Sequence, residues 1–351
     1  MNAPLSPVAP PEETTVPAVE VALAPQPSVV RRVLRTMRLW VDSHSSLQSE
    51  EDGRTPLKVD WLRLMPFLGV HFACLAVIWV GWSWPAVIVA GALYFVRMFA
   101  ITGFYHRYFS HRSYSTSRFF QFVMAAVGNS SVQRGPLWWA AHHRHHHRTS
   151  DQPEDRHSPK QQGFLWAHMG WISAKANFRT DMKLVPDLAK FPELVFLDRF
   201  DTMIPFALAM SCLGLGWGLS VFYPELGTSA LQMFIWGFCI STVAVAHGTF
   251  TVNSLTHLIG RQVYPSKDTS KNSLIIALIT LGEGWHNNHH YYQSSVRQGF
   301  RWWQIDITYY LLWMMSCVGL VWDLKPVPQK VIDAAGKLNA PATDATPAAA
   351  T

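Results

Sequence analysis

Four apolar runs constrain this chain more than any other feature, because a hydrocarbon core about 30 Å thick selects helices of about 20 residues. The runs extend from about Leu64 to Trp82, Pro85 to Tyr105, Pro205 to Phe222 and Ser229 to Thr249. The joint between the first two is so short that they must form a hairpin, and Tyr223 to Thr228 joins the last two in the same way. Composition agrees, since 15% of the residues are charged against roughly 25% in soluble domains. The expected fold is an all-α membrane protein with four transmembrane helices in two hairpins. Neither joint carries Lys or Arg, whereas segments 106–200 and 257–305 are rich in both. The positive-inside bias therefore puts both termini in the cytoplasm. Arg97, inside the second run, must snorkel to the interface or face the protein interior. A fifth apolar run, Ile307 to Trp322, follows Asp306 and is interrupted by Ser316 and Gly319, so a helix packed on the cytoplasmic domain is expected there.

Residues 1–30 contain no Lys or Arg, lack the charged region of a secretory signal, and read as a disordered tail. Segment 31–60 opens with Arg31, Arg32, Arg35 and Arg38 among apolar residues, which suits either a helix on an anionic membrane surface or a solvated basic linker. Residues 334–351, dominated by Ala, Thr and Pro, read as a second disordered tail. The four Cys all sit in apolar runs without CxxC spacing and read as packing residues. There is no dinucleotide glycine fingerprint, phosphate loop or nucleophile elbow. The net charge of +6 is accounted for by membrane-side bias, and no nucleic-acid partner is expected.

The chemistry lies in the histidines. They form three clusters: His106 with His111; His143, His146 and His147; and His286, His289 and His290. An even number of spans separates the clusters, so all three reach one membrane face. Positions i, i+3 and i+4 project from one helical face and can aim at a common point, which both trios satisfy. The i, i+5 spacing of the first pair separates its directions by about 140° on an ideal helix, so His111 is expected just past a helix end or at a local bulge. His257 adds a ninth imidazole at the end of the fourth run, and Asn253, one turn earlier, could hold a water on a metal. Nine imidazoles exceed what one ion accepts and imply two metals. Imidazole suits Fe, Cu, Zn and Ni, but a closed zinc site takes four ligands, usually with Cys; redox-active iron with open positions fits better. His44, His71 and His247 read as core or surface residues, and His142 and His145 fall off the face of their trio. A membrane metal transporter would carry ionisable groups along the spans, whereas these clusters sit at span ends and outside them.

The clusters and their surroundings resemble the membrane fatty acyl desaturases of the stearoyl-CoA delta-9 type, from roughly Trp61 to Val327. The first cluster continues as His111-Arg112-Ser113-Tyr114. Gly282-Glu283-Gly284-Trp285-His286-Asn287-Asn288-His289-His290 is similar to the family's third histidine box, and Asn253-Ser254-Leu255-Thr256-His257 to its Asn-Ser-x-x-His element. His157, His168, Gly170 and Trp171 match positions downstream of the second box. The resemblance implies a desaturase domain over 61–327, with a cytoplasmic helical cap over the four spans holding a histidine-ligated di-iron centre. It implies two iron ions and O2 as co-substrate. It also implies His106, His111, His143, His146, His147, His257, His286, His289 and His290 as iron ligands, with Asn253 acting through water. The expected activity is insertion of a cis double bond, at delta-9, into a saturated long-chain acyl-CoA. The alternatives are a lipid-bound acyl chain attacked at another position, or hydroxylation on a similar scaffold. Ala141-His142 stands where animal acyl-CoA members carry Arg-Asp, which leaves the acyl carrier open. Lys175 falls at a basic headgroup-binding position and gives CoA precedence. Tyr94 and Met98, at helical steps before the first box, are expected to close the substrate tunnel and limit chain length. With no haem or flavin domain evident, electrons must come from a ferredoxin, rubredoxin or cytochrome b5-like partner with its reductase. The resemblance is to a bacterial-like member, expected in the inner membrane with its active site cytoplasmic.

Overall fold

The computed structural model describes residues 28–44 and 58–335; the two expected tails lie almost entirely outside them. Helix α1 covers Val29–Val41. Among the described residues, four helices are long and apolar enough to cross a membrane: α2 (Trp61–Val80), α3 (Trp84–Ser110), α7 (Met203–Phe222) and α8 (Ala230–Leu258). Local chemistry sets their ends. Asp60 and Ser83 accept the backbone N–H groups of Arg63 and Ala86 at the starts of α2 and α3, Ser229 does the same for Gln232 at the start of α8, and each supplies one partner for an otherwise orphaned donor. Two of these helices outrun their apolar segments. α3 continues from Tyr105 to Ser110, and α8 from Thr249 to Leu258, so His106 and His257 ride on the membrane helices themselves and are rigidly tied to the bundle.

Short joints connect α2 to α3 and α7 to α8, and α2, α3 and α7 all pack against α8; α3 and α8 are the more deeply enclosed members. Ala86, Ala209, Cys212, Met233 and Cys239 form a buried apolar cluster among them. Arg97 faces the protein interior and is fully buried. Its guanidinium donates to Thr242 Oγ1 at 2.8 Å, to Ser130 O at 3.2 Å and to the hydroxyl of Ser241, so its polar atoms are satisfied without lipid contact.

The cap contains α4 (Arg118–Asn129), α5 (Pro136–Thr149) and α6 (Pro192–Arg199), packed on the extension of α3 through a core that includes Tyr105, Phe109, Met124, Leu137 and Leu194. A six-residue helix, α9 (His286–Tyr291), carries the third cluster. The fifth apolar run forms only α10 (Ile307–Cys317), 11 residues long and too short to span; it packs against the last part of α3, Ala100–Ser110. The chain then adds a strand that an all-helical expectation omits: Val321–Trp322 pairs antiparallel with Ser115–Thr116, tying the chain after α10 to the segment just past His111.

Candidate metal centre

The spacing of the first cluster is resolved by helix geometry. Ala100–Ser110, the last part of α3, is wound as a π-helix, and the N–H of His111 donates to the carbonyl of His106 at 3.3 Å. A π-turn closes after five residues instead of four, so His106 and His111 return to one face. His111 lies immediately past the helix end, satisfying both forms of the expectation.

The nine imidazoles then divide into two groups. His106, His111, His143, His147 and His289 bring one ring nitrogen each within 4.8 Å of all the others, and His146, His257, His286 and His290 do the same beside them. In the first group Nε2 of His289 lies 2.9 Å from Nε2 of both His106 and His147, and Nε2 of His143 lies 2.8 Å from that of His111. In the second, Nε2 of His257 is 3.2 Å from that of His286. Nine imidazoles turning ring nitrogens toward two points make a donor set for cations. The second trio is split by its own geometry: His143 and His147 serve the first point and His146 the second. His290 Nε2 is buried with no hydrogen-bond partner, an expense that a metal ion at that point removes. The residues therefore fit two metal ions.

Carboxylates set the rings. Nδ1 of His106 lies 2.5 Å from Glu283, that of His146 3.0 Å from Asp155, and that of His290 2.5 Å from Asp268. A hydrogen bond at Nδ1 fixes the tautomer and leaves Nε2 free to bind. Asp151 adds a further acceptor near His257, and Asp155 also faces His157. The Asn residues between the histidines of α9 hold the surrounding loops. Asn287 Oδ1 accepts the N–H groups of Val263 and Tyr264 at 2.7 Å each, while Asn288 donates to Gln298 O at 2.8 Å. Two glycines permit the approach. A Cβ on Gly282, at φ +130°, would fall 2.5 Å from Asp306 Oδ1, and one on Gly284 would fall 2.0 Å from the backbone nitrogen of Ala277.

Burial would raise the Asp155 and Asp268 carboxyls, yet the imidazoles of His146 and His157 around the first, and of His290 beside the second, hold both well below the usual carboxylate range. Burial, reinforced by neighbouring imidazoles, pushes His111, His143, His147, His286 and His289 well below 6.5. Burial likewise lowers His290 to about 4 against the pull of Asp268. His146 moves the other way: burial lowers it, and Asp155 more than reverses that. In the unfolded chain these imidazoles titrate near their ordinary value of about 6.5. As pH falls below that value, the unfolded state gains protons on the five depressed rings and His290 that the folded state refuses, so stability falls with pH. The metal-free protein is expected to melt several degrees lower at about pH 5 than at about pH 7.5. A midpoint that is unchanged or higher in the acid sample would contradict this electrostatic picture.

A cavity of about 330 Å³ runs to the first group, with His143 and Asn253 among its lining residues. Trp138, Trp139, Trp171, Phe67 and Phe250 supply much of its apolar wall. Val132, Gln133 and Arg134 form one side. Val132 and Arg134 hold positive φ, 60° and 70°, a conformation uncommon for non-glycine residues and unfavourable for a β-branched one. The turn aims Gln133 across the cavity, where its Nε2 donates to Thr249 Oγ1 at 2.9 Å.

Of the other residues singled out in the sequence, Tyr94 and Met98 pack against Gly248 of α8, where an added Cβ would meet Met98 Cε at 2.7 Å and Tyr94 Oη at 3.0 Å. Neither is among the residues that line the cavity, whereas Ala246, Thr249 and Asn253 of α8 are. Lys175 is exposed and is not among the lining residues. His44 pairs with Asp198 at 2.9 Å, while His71, His247 and His168 form a chain of contacts of 3.1 and 3.0 Å apart from the two groups. His142 lies tilted against Trp138 in the cavity wall, and His145 contacts Glu154 O. The carboxylates Asp151, Asp155 and Asp268, and the cavity residues Arg63, Gln133 and Arg134, carry no spacing signal. Only Glu283, through its Gly-Glu-Gly setting, is marked in the sequence.

The profile of the fatty acid desaturase family matches residues 61–341. An sn-1 stearoyl-lipid 9-desaturase of Anabaena variabilis is 34% identical over 279 residues, covering 79% of this chain and 97% of that protein. The delta-9 acyl-lipid desaturase 1 of Arabidopsis thaliana is 34% identical over 274 residues, with 76% and 84% covered. An acyl-CoA 5-desaturase of Anemone leveillei is also 34% identical, over 273 residues, with 75% and 78% covered.

Proposed function

Because the chain belongs to the fatty acid desaturase family, we propose that it inserts a cis double bond at the delta-9 position of a saturated long acyl chain carried by a membrane lipid. The observation that carries this reading is the apolar cavity leading to His143 and Asn253 at the edge of the paired histidine groups. The nine histidines would hold two iron ions, five rings at one and four at the other, with Asn253 reaching the four-ring site through a water. When bound, the irons supply the redox chemistry: O2, two electrons and two protons are consumed, two hydrogens leave adjacent methylenes, and two waters form with the double bond. The protein's own part is to bind, orient and dehydrate. The tryptophan-lined wall excludes water and holds the chain so that a chosen pair of methylenes faces the centre. The Gln133 to Thr249 bridge constrains its path, and Tyr94 and Met98 bound its far end.

The carrier reading departs from the order that Lys175 suggested. Two relatives are named for lipid-bound substrates, and one for acyl-CoA. The cavity lining includes Leu39 and Trp40 of α1 and Arg63 at the start of α2. α1 is amphipathic, carries Arg31, Arg32, Arg35 and Arg38, and buries none of its residues, as a helix lying on an anionic membrane surface would. A mouth between this helix and the first span opens toward lipid. The active side is cytoplasmic, and an external iron–sulfur or haem carrier with its reductase supplies the electrons.

The test is gas chromatography with mass spectrometry of lipid-class-separated fatty acids from a host expressing the intact chain. A new delta-9 cis-monoene appearing first in intact glycerolipids is the expected product. Label appearing first in the acyl-CoA pool would assign the carrier to CoA, and hydroxylated chains would move the enzyme to the hydroxylase class.

A further inference from the structure

The lining of the cavity includes a buried guanidinium with an open donor. Arg63, one turn from the start of α2, has 9% of its surface exposed. Its guanidinium carbon lies 4.1 Å from the centre of the Phe178 ring, and its Nη2 is buried with no hydrogen-bond partner. Asp201 and Asp60 act on it electrostatically, but both have other partners. Asp60 turns to the helix start and accepts the backbone N–H of Arg63 at 3.1 Å. Asp201 lies 3.1 Å from Arg134 and accepts the Ser43 hydroxyl at 2.8 Å. Arg134 also lies 5.9 Å from the same Phe178 ring. Two guanidinium groups thus share one aromatic ring and one buried carboxylate, and both line the cavity with Asp201. A buried arginine with an open donor is costly unless an anion meets it, and the planar fork matches a phosphate.

We infer that Arg63, supported by Arg134, binds the phosphodiester of a glycerophospholipid whose acyl chain occupies the cavity. This rests on the lipid-carrier reading above and adds the headgroup chemistry. The argument for a phospholipid over acyl-CoA is one of reach. In a glycerophospholipid the phosphorus lies only a few bonds from the sn-1 ester, so one molecule places phosphate at Arg63 and chain in the cavity. In acyl-CoA the whole pantetheine arm separates the thioester from the first phosphorus, which would lie well outside this mouth. Arg63 also stands where a first-span helix start meets the headgroup layer, in keeping with the basic face of α1.

The test uses the full-length, iron-loaded enzyme in detergent, with tryptophan fluorescence from the cavity wall reporting on binding. The probes are 1-stearoyl-lysophosphatidylglycerol, 1-monostearoylglycerol, which has the same ester and chain without phosphate, stearoyl-CoA, and inorganic phosphate as a competitor. The wild type should bind the phosphate-bearing lipid about tenfold or more tightly than monostearoylglycerol. Arg63→Gln should remove most of that difference and leave monostearoylglycerol affinity unchanged, and Arg63→Lys should keep part of it. With distearoyl phospholipid in nanodiscs, the loss in Arg63→Gln should fall on KM. Equal affinity of the wild type for the two lipids would overturn the assignment. So would parallel weakening of both lipids in Arg63→Gln, a loss for stearoyl-CoA as large as for the lysophospholipid, or competition by inorganic phosphate alone as effective as by the lipid. If the phosphate-dependent binding difference holds but the wild type desaturates only stearoyl-CoA, the phosphate site stands and the lipid-carrier reading falls.

Discussion

Replacing His286 with Ala is expected to abolish double-bond formation and to empty the four-histidine site, whereas His289→Ala should also abolish activity but retain more metal. The asymmetry follows from the two donor sets. His286 belongs to the group of four and leaves three rings, His146, His257 and His290, when removed; His289 belongs to the group of five and leaves four. Three imidazoles and the water-mediated reach of Asn253 make a poorer trap than four imidazoles, while loss of even a supporting partner costs metal sites about 10- to 100-fold. Both variants should therefore fall by about 100-fold or more in monoene formation. Elemental analysis of purified protein should find wild type near two irons per chain, His286→Ala near one, and His289→Ala between them. Full iron occupancy with near wild-type turnover in either variant would mean that the ring is not a ligand.

A larger structural effect is expected at Arg107. It is 1% exposed, and its guanidinium lies 3.1 Å from Glu283 and 2.9 Å from Asp306, and donates to Val296 O at 2.8 Å. Glu283 in turn holds His106, and Gln298 donates to Glu283 at 2.9 Å. Arg107→Met would strand two buried carboxylates, at a cost of about 3–5 kcal/mol against a total stability of about 5–15 kcal/mol. Most of the protein should fail to pass size-exclusion chromatography as a monodisperse peak. Arg107→Lys should recover part of the folded yield, since lysine restores the charge without the fork that bridges both acids. Glu283→Gln separates stability from function: it keeps the shape, weakens the orienting acceptor of His106, and should lower activity more than folded yield. Wild-type yield and activity in Arg107→Met would show that the network contributes neither fold nor ring orientation.

The legible parts of the molecule were those with a period or a length. Hydropathy located the four spans within a few residues at most ends, but it missed the ends of α3 and α8 because the segments that continue them are polar while their backbones remain helical. The i, i+3, i+4 trios announced faces, and the i, i+5 pair announced an irregularity that the π-helix of Ala100–Ser110 resolves. Spacing along one helix could not say that His146 parts from His143 and His147 to join His257, His286 and His290. The carboxylates behind the rings were hidden for a related reason: Asp151 and Asp155 lie in the loop after α5, and Asp268 in the loop after α8, where no period records which side chain meets which.

The lone Arg63 was hidden differently, at the very margin of an apolar run whose reading began one residue later. Its consequence depends on Phe178, Arg134 and Asp201, all far away in the chain. The sequence by itself determined the class of the protein: four spanning helices, one reactive face, and enough imidazoles on it for two metals. These properties follow from transfer free energies and helix period, which act over a few turns. Only the tertiary structure decided how nine rings are shared between two points, which acids hold them, and what charge lines the cavity. Those outcomes depend on distances between groups on different elements, from 9 residues apart for His146 and Asp155 to 183 for His106 and His289, which no local pattern encodes.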